Sequence, residues 1–188
     1  VVSTDNNEYR KISIKYGAEA PFLRPKSISL DHSTDYECFI HCLDWLKTNE
    51  NYEPEIILQL RPTQPCRTPE LIDSCLDIII QNWENFDSVR TIIKTKKSPY
   101  KMYSFVEGNK IEPVLKIGKD SHNMCRQFLP EIYLHNGYVD IVKTSQVLKR
   151  NGDISGKIYG YIMNEKEDYD IDTEEDFKRV KVSLKVDH

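Results

Sequence analysis

The sequence predicts an α/β protein with a mainly parallel sheet flanked by helices, and three observations carry that prediction. Candidate strands and helices alternate along the chain, the order expected of such a sheet. Ile56-Ile57-Leu58 is a short, wholly apolar run, as expected of a strand buried on both faces. That run leads through a proline-stiffened loop directly into a helix with its own start signals, the strand–loop–helix step from which these sheets are built.

Taken in order, Val1-Val2 reads as the end of a strand. A helix follows from about 7 to 16, closed by Gly17, the residue that most easily turns left-handed past a helix end. Pro21 and Pro25, four apart, forbid a regular helix and make Ala20 to Pro25 a loop. Between Ser33 and Lys47, Tyr36, Phe39, Ile40, Leu43 and Leu46 recur at helical spacing. The buried strand covers Glu55 to Leu60, and Arg61 to Arg67 forms the loop after it. Thr68 caps the next helix, with Pro69 at its first position and Glu70 in its first turn. Ile72, Leu76 and Ile79 mark its buried stripe. Ser88 to Thr95 is another strand. Residues 98 to 118 are aromatic and β-branched, broken at Gly108-Asn109, and predict a hairpin-like excursion. Ile132 to Val142 and Lys157 to Met163 complete the strands. Thr173 opens the last helix, with Asp176 three residues on in a capping-box arrangement and Phe177 and Val180 on the packed side.

Composition narrows the function classes. At 188 residues the chain suits one domain, 1–188, with one core. Apolar residues at 39% and charged residues at 30% describe a globular chain, with no apolar run long enough for a membrane span. The first residues lack the basic start and apolar stretch of a signal peptide. A formal net charge of −4 argues against a general grip on nucleic acid. Five cysteines, an odd number at spacings that match no disulfide or zinc framework, predict buried thiols in a reducing compartment, hence the cytoplasm.

Three groups of residues suggest chemistry. The acidic run from Asp168 to Asp176 follows a strand and opens a helix. Acids are stabilised at a helix N-terminus, and that accounts for Glu174, Glu175 and Asp176. Asp170 and Asp172 alternate along extended chain and share a side, so they also suit a hard cation such as Mg2+. For these two, both readings stay open. The loop Leu60 to Arg67 carries two arginines and a threonine on a stretch stiffened by two prolines, an arrangement able to hold an anion beyond the end of a strand; a solvated turn is the alternative. Lys101 and Arg126, each near a proline, read by themselves as solvated surface charges. The histidines, His41 and His122 among them, form no nucleophile or metal signature.

Together these motifs resemble the acylneuraminate (CMP-sialic acid) cytidylyltransferase family. The resemblance rests on Val1-Val2-Ser3-Thr4-Asp5, on Gly17-Ala18-Glu19 through Phe22-Leu23-Arg24-Pro25, and on Leu60 to Arg67. It continues through Arg126 to Pro130 with Asn136-Gly137, and Asp170 to Phe177, five motifs in order over essentially the whole chain. It implies a Rossmann-like nucleotidyltransferase fold, usually dimeric, joining CMP from CTP to a nonulosonic sugar acid with release of pyrophosphate. It makes Asp170 and Asp172 the Mg2+-binding pair and matches Arg24 and Thr34 to cytidine contacts and Asn136 to a sugar contact. Lys101 and Arg126 match basic residues on a dimerisation excursion, here 98–130, that reach the sugar acid of the neighbouring subunit. Arg61 stands where glutamine is common and Asp140 where tyrosine is common. Both positions would face the sugar, and the departures point away from N-acetylneuraminate toward a legionaminic or pseudaminic type. The family opens on a strand and a glycine- and lysine-containing loop around the triphosphate. The sequence matches the pattern only downstream of that loop, so the expectation is an N-terminally incomplete domain with little or no catalysis by itself. The alternative is a non-catalytic homologue that binds nucleotide or sugar, or pairs with an intact partner.

Overall fold

Asn6 starts α1 (Asn7–Lys15) by accepting the N–H groups of Glu8 and Tyr9 at 2.8 and 3.3 Å, and Gly17 at φ +87° ends the turn that follows it. These details come from a computed structural model that describes residues 1–188 apart from 96, 119, 150–153, 165–168 and 185–188; Asp168, first of the acidic run, lies outside the described residues. The same local rules set the later helices. Thr34 caps α2 (Asp35–Glu50) in a full capping box with Glu37. The Thr68 hydroxyl accepts Leu71 N–H at 3.3 Å ahead of α3 (Pro69–Gln81). Thr173 and Asp176 make the second capping box, at α5 (Glu174–Ser183). A five-residue helix, α4 (Thr144–Leu148), was not expected. Val1 and Val2 form no strand; Val2 N–H donates to Glu19 O at 2.7 Å and Arg24 N–H to Thr4 O at 2.8 Å.

The strands are β1 (Ile56–Gln59), β2 (Ser88–Lys94), β3 (Tyr103–Glu107), β4 (Lys110–Pro113), β5 (Tyr133–Lys143) and β6 (Ile158–Met163). β1, β5, β2 and β6 form one sheet in that order, and β3 and β4 form a separate antiparallel ribbon. Asp87 and Ser88 N–H both donate to Lys157 O, so β2 and β6 start side by side and run parallel. Thr144 N–H donates to Glu55 O and Lys143 N–H to Asp87 O, which sets the end of β5 against the starts of β1 and β2. β5 is therefore antiparallel to both neighbours in a sheet whose other three strands share one direction, which makes it a mixed sheet. The cause is the excursion. β2 leaves the sheet, the chain makes the β3–β4 ribbon, and β5 returns beside β2, closed by Thr95 N–H on Ile132 O at 3.2 Å. An expanded hairpin needs no helical crossover.

The chain divides into two units. One comprises Val1–Gln59, Ile78–Ser88 and Ile141–Ile158, and its core holds Phe22, Leu43, Leu46, Ile79, Ile141 and Val147. Within it the Lys143 ammonium is buried, donates to Trp83 O and lies 4.3 Å from the Trp83 ring centre. The other unit comprises Leu60–Asp77, Val89–Asp140 and Tyr159–His188, with Cys75, Val89, Ile93, Tyr138, Val139 and Val180 at its core. No helix among the described residues is long and apolar enough to cross a membrane.

Candidate functional site

In the second unit, backbone and side-chain bonds fasten three segments to one another. Gln64, almost fully buried, donates through Nε2 to Asn136 O at 2.8 Å and so locks the loop after β1 onto β5. Arg67 folds back and donates through Nη2 to Arg61 O, and its burial pushes the guanidinium pKa down. Ile171 N–H donates to Thr63 O at 3.0 Å. Tyr169 N–H donates to the hydroxyl oxygen of Tyr138, a side chain only 1% exposed, at 2.5 Å. Asp170 and Asp172 flank the pinned Ile171 and are both solvent-exposed. The Thr173–Asp176 box then fixes where α5 begins, with the Asp176 carboxyl held below its usual range by the Thr173 hydroxyl.

These bonds bring Arg61, Asn136, Asp140, Asp170 and Asp172 into one region. Arg61 and Asp140 are also paired directly, Nε to Oδ2 at 3.6 Å, and Asp140 Oδ1 lies 2.6 Å from His135 Nε2. Asn136 is buried and donates through Nδ2 to Met163 Sδ at 3.4 Å. Gly137, at φ +67°, sits so close to Arg61 that an added Cβ would lie 3.1 Å from Arg61 Cδ. His135, Gln64 and Tyr138 were not among the predicted site residues. The sole sequence signal for His135 was Gly137, a glycine inside a strand pattern.

Two exposed carboxylates, Asp170 and Asp172, are a donor set that a hard divalent cation of one kind can use. Among the described residues, no three His, Cys, Asp or Glu side chains are grouped to enclose a metal. Mg2+ needs no such cage, since it takes one or two carboxylates and fills its shell with phosphate oxygens and water. A cavity of about 610 Å³ lies in the same unit, walled by Cys66, Thr68, Tyr138, Tyr161, Met163 and Tyr169 among others, and none of the predicted site residues lines it.

The first unit holds Arg24 and Thr34. The Arg24 guanidinium donates to Ser29 Oγ at 2.9 Å and to Cys38 Sγ at 3.5 Å, and Cys38 Sγ–H reaches Ser3 Oγ at 3.4 Å. Thr34, one turn before Cys38, is committed to its cap: its hydroxyl accepts Glu37 N–H and donates to the Glu37 carboxylate at 3.1 Å. His41 meets the Phe22 ring edge-on at 4.7 Å, a packing role. Lys101 and Arg126 stay on the excursion, Lys101 Nζ donating to His122 O at 3.0 Å and Arg126 standing exposed in a 3-10 turn.

No protein-family model matches the chain. Curated relatives do. The chain is 28% identical over 188 residues to post-translational flagellin modification protein B of Campylobacter coli, covering 98% of this chain and 76% of that protein. It is 27% identical over 174 residues to the CMP-N,N'-diacetyllegionaminic acid synthase of Legionella pneumophila, covering 92% and 72%. Against the synthase of that name from Campylobacter jejuni the figures are 28% over 190 residues, covering 98% and 77%. Among solved structures, a CMP-2-keto-3-deoxy-manno-octonic acid synthetase complexed with CTP superposes with a TM-score of 0.60 at 11% identity, over 98% of this chain and 79% of that one. The 4-diphosphocytidyl-2C-methyl-D-erythritol synthase of Anaerococcus prevotii gives 0.55 at 13%, over 97% and 78%. At those identities the structural likeness establishes the fold, that of nucleotidyltransferases. Over nearly its whole length the chain is similar to proteins named as synthases of CMP-legionaminic acid and as pseudaminic acid cytidylyltransferase.

Proposed function

We propose that the protein transfers CMP from CTP to a nonulosonic sugar acid with release of pyrophosphate. The observation that carries this reading is the bond from Ile171 N–H to Thr63 O, which ties the Asp170–Asp172 pair to the arginine-bearing loop beyond the carboxyl end of β1. Ligands of open α/β sheets bind beyond that end of the strands. The sugar's anomeric hydroxyl oxygen bonds to the α-phosphorus of CTP and gives up its proton to water, the α–β phosphoanhydride bond breaks, and the electron pair leaves with pyrophosphate. The chain's task in such a reaction is to position the reactants and balance their charge.

Asp170 and Asp172 would hold Mg2+, which when bound neutralises triphosphate charge. Arg24 and Thr34 are assigned to the cytidine. A hydroxyl has one donor and two acceptor positions. Thr34 already uses its donor and one acceptor on Glu37, so what it can offer a nucleotide is a single acceptor. Asn136 is assigned to the sugar, where its Nδ2 would exchange a weak sulfur acceptor for an oxygen. Lys101 and Arg126 are assigned to the carboxylate of a sugar acid held by a second copy of the chain. A homodimer formed through the excursion is supported by the apolar side chains that it exposes, including Phe105 at 77% and Phe128 at 68%. Five free thiols support a cytoplasmic setting.

Replacing Asp172 by alanine, in a chain completed with the triphosphate loop, tests the site. Pyrophosphate release from CTP, Mg2+ and a nonulosonic acid is expected to fall at least about a hundredfold. The melting temperature is expected to hold, because Asp172 is exposed. Unchanged turnover would remove Asp172 from the metal role.

A further inference from the structure

His135 and Asp140 are five residues apart on β5. On a regular strand that spacing is about 16 Å and puts the two side chains on opposite faces. They nevertheless meet at 2.6 Å. Gly137 lies between them at φ +67°, a left-handed residue within a strand, which bends the strand and breaks its alternation. Asp140 is the hub of the result. Its side chain is only 13% exposed, one oxygen facing His135 and the other Arg61, whereas the Arg61 and His135 side chains are 38% and 37% exposed. An incoming molecule therefore meets Arg61 and His135, with the carboxylate turned inward behind them.

We propose that His135, Asp140 and Arg61 form one selecting unit, in which His135 is a positioning residue and Arg61 donates to the carbonyl oxygen of an acylamino group on the sugar acid. This inference rests on the cytidylyltransferase reading and deepens it. Charge decides the kind of group selected. An arginine with no counter-ion would favour the substrate's carboxylate. Here Asp140 already balances Arg61, and a second carboxylate would be brought up against it. A neutral, acceptor-only oxygen is the better match, and an amide carbonyl supplies one. Holding the guanidinium before the substrate arrives also spares the loss of its rotamer freedom on binding. His135 acts at one remove: by engaging Oδ1 it fixes the carboxylate so that Oδ2 faces Arg61.

The test compares kcat and KM of the wild-type protein carrying the family's N-terminal triphosphate loop, and of its His135→Ala and His135→Gln variants, for two acids. One carries two N-acetyl groups, and the other has hydroxyls at the same positions. Removing one such hydrogen bond is worth about tenfold. His135→Ala is therefore expected to raise KM for the diacetylated acid about tenfold, with kcat and the KM for CTP unchanged. The hydroxyl acid should be handled as by wild type, and His135→Gln, which keeps an N–H donor, should recover part of the loss. An equal effect of His135→Ala on both acids, or none on either, would overturn the selecting role while leaving the cytidylyltransferase reading intact. A wild-type protein that turns over neither acid with CTP would overturn both.

Discussion

At φ +67° Gly137 occupies a backbone region that costs a side-chain-bearing residue about 1–2 kcal/mol. A methyl group there would also stand 3.1 Å from Arg61 Cδ and displace it. Gly137→Ala is accordingly expected to lower stability in a urea titration by about 1–2 kcal/mol and to raise KM for the sugar acid while leaving that for CTP alone. Equal stability and unchanged kinetics would mean that the bend in β5 is not what aligns Arg61. Residue by residue, the sequence points to those candidates whose chemistry is local. Asp170 and Asp172 stand out as alternating acids after a strand, and the Arg61 to Arg67 loop as two cations flanking two prolines. The link between His135 and Asp140 was not legible, because alternation along a strand assigns them to opposite faces and only the glycine's dihedral angle reverses that.

Element boundaries were the most legible level, since each rests on short-range bonds. Thr68, Thr173 with Asp176, Gly17 and the Gly108-Asn109 turn all act where the sequence placed them. Strand direction was not legible. A parallel and an antiparallel buried strand share one apolar pattern, and β5 is antiparallel only because the excursion returns it beside β2. The short α4 carries too few residues to show a period. The two capping boxes make a pH prediction. Thr34 holds the Glu37 carboxyl below its usual range, its backbone N–H contributing most, and the Thr173 hydroxyl does so for Asp176. A carboxylate depressed in the folded state contributes stability above its unfolded pKa, and that contribution is lost as pH falls through the folded value. The Thr34 and Thr173 amide resonances, whose N–H groups donate to those carboxylates at 2.7 and 3.0 Å, should shift with midpoints below those of the same carboxyl groups in the unfolded chain. Midpoints at or above the unfolded ones would show that the caps do not hold the charged forms.

On the scale of the whole molecule, the excursion is where burial and composition disagree. All five residues of β3 are exposed, and Met102, Tyr103, Phe105, Val106, Ile111 and Val114 are each more than 40% exposed. So much apolar surface in one place is characteristic of an interface. Phe105→Glu is expected to shift the mass measured by light scattering from two chains to one. A wild-type protein that is already a single chain at micromolar concentration would contradict the homodimer. The central claim lies at this scale as well, since it needs nucleotide, metal and sugar acid to be handled by one protein. The most direct measurement follows phosphorus by NMR while the protein, carrying the family's N-terminal triphosphate loop, is incubated with CTP, Mg2+ and a di-N-acetylated nonulosonic acid. The account predicts that CTP is replaced by one phosphodiester signal and an equal amount of pyrophosphate, and only when the acid is present. CTP left intact by folded protein, or consumed equally without the acid, would contradict it.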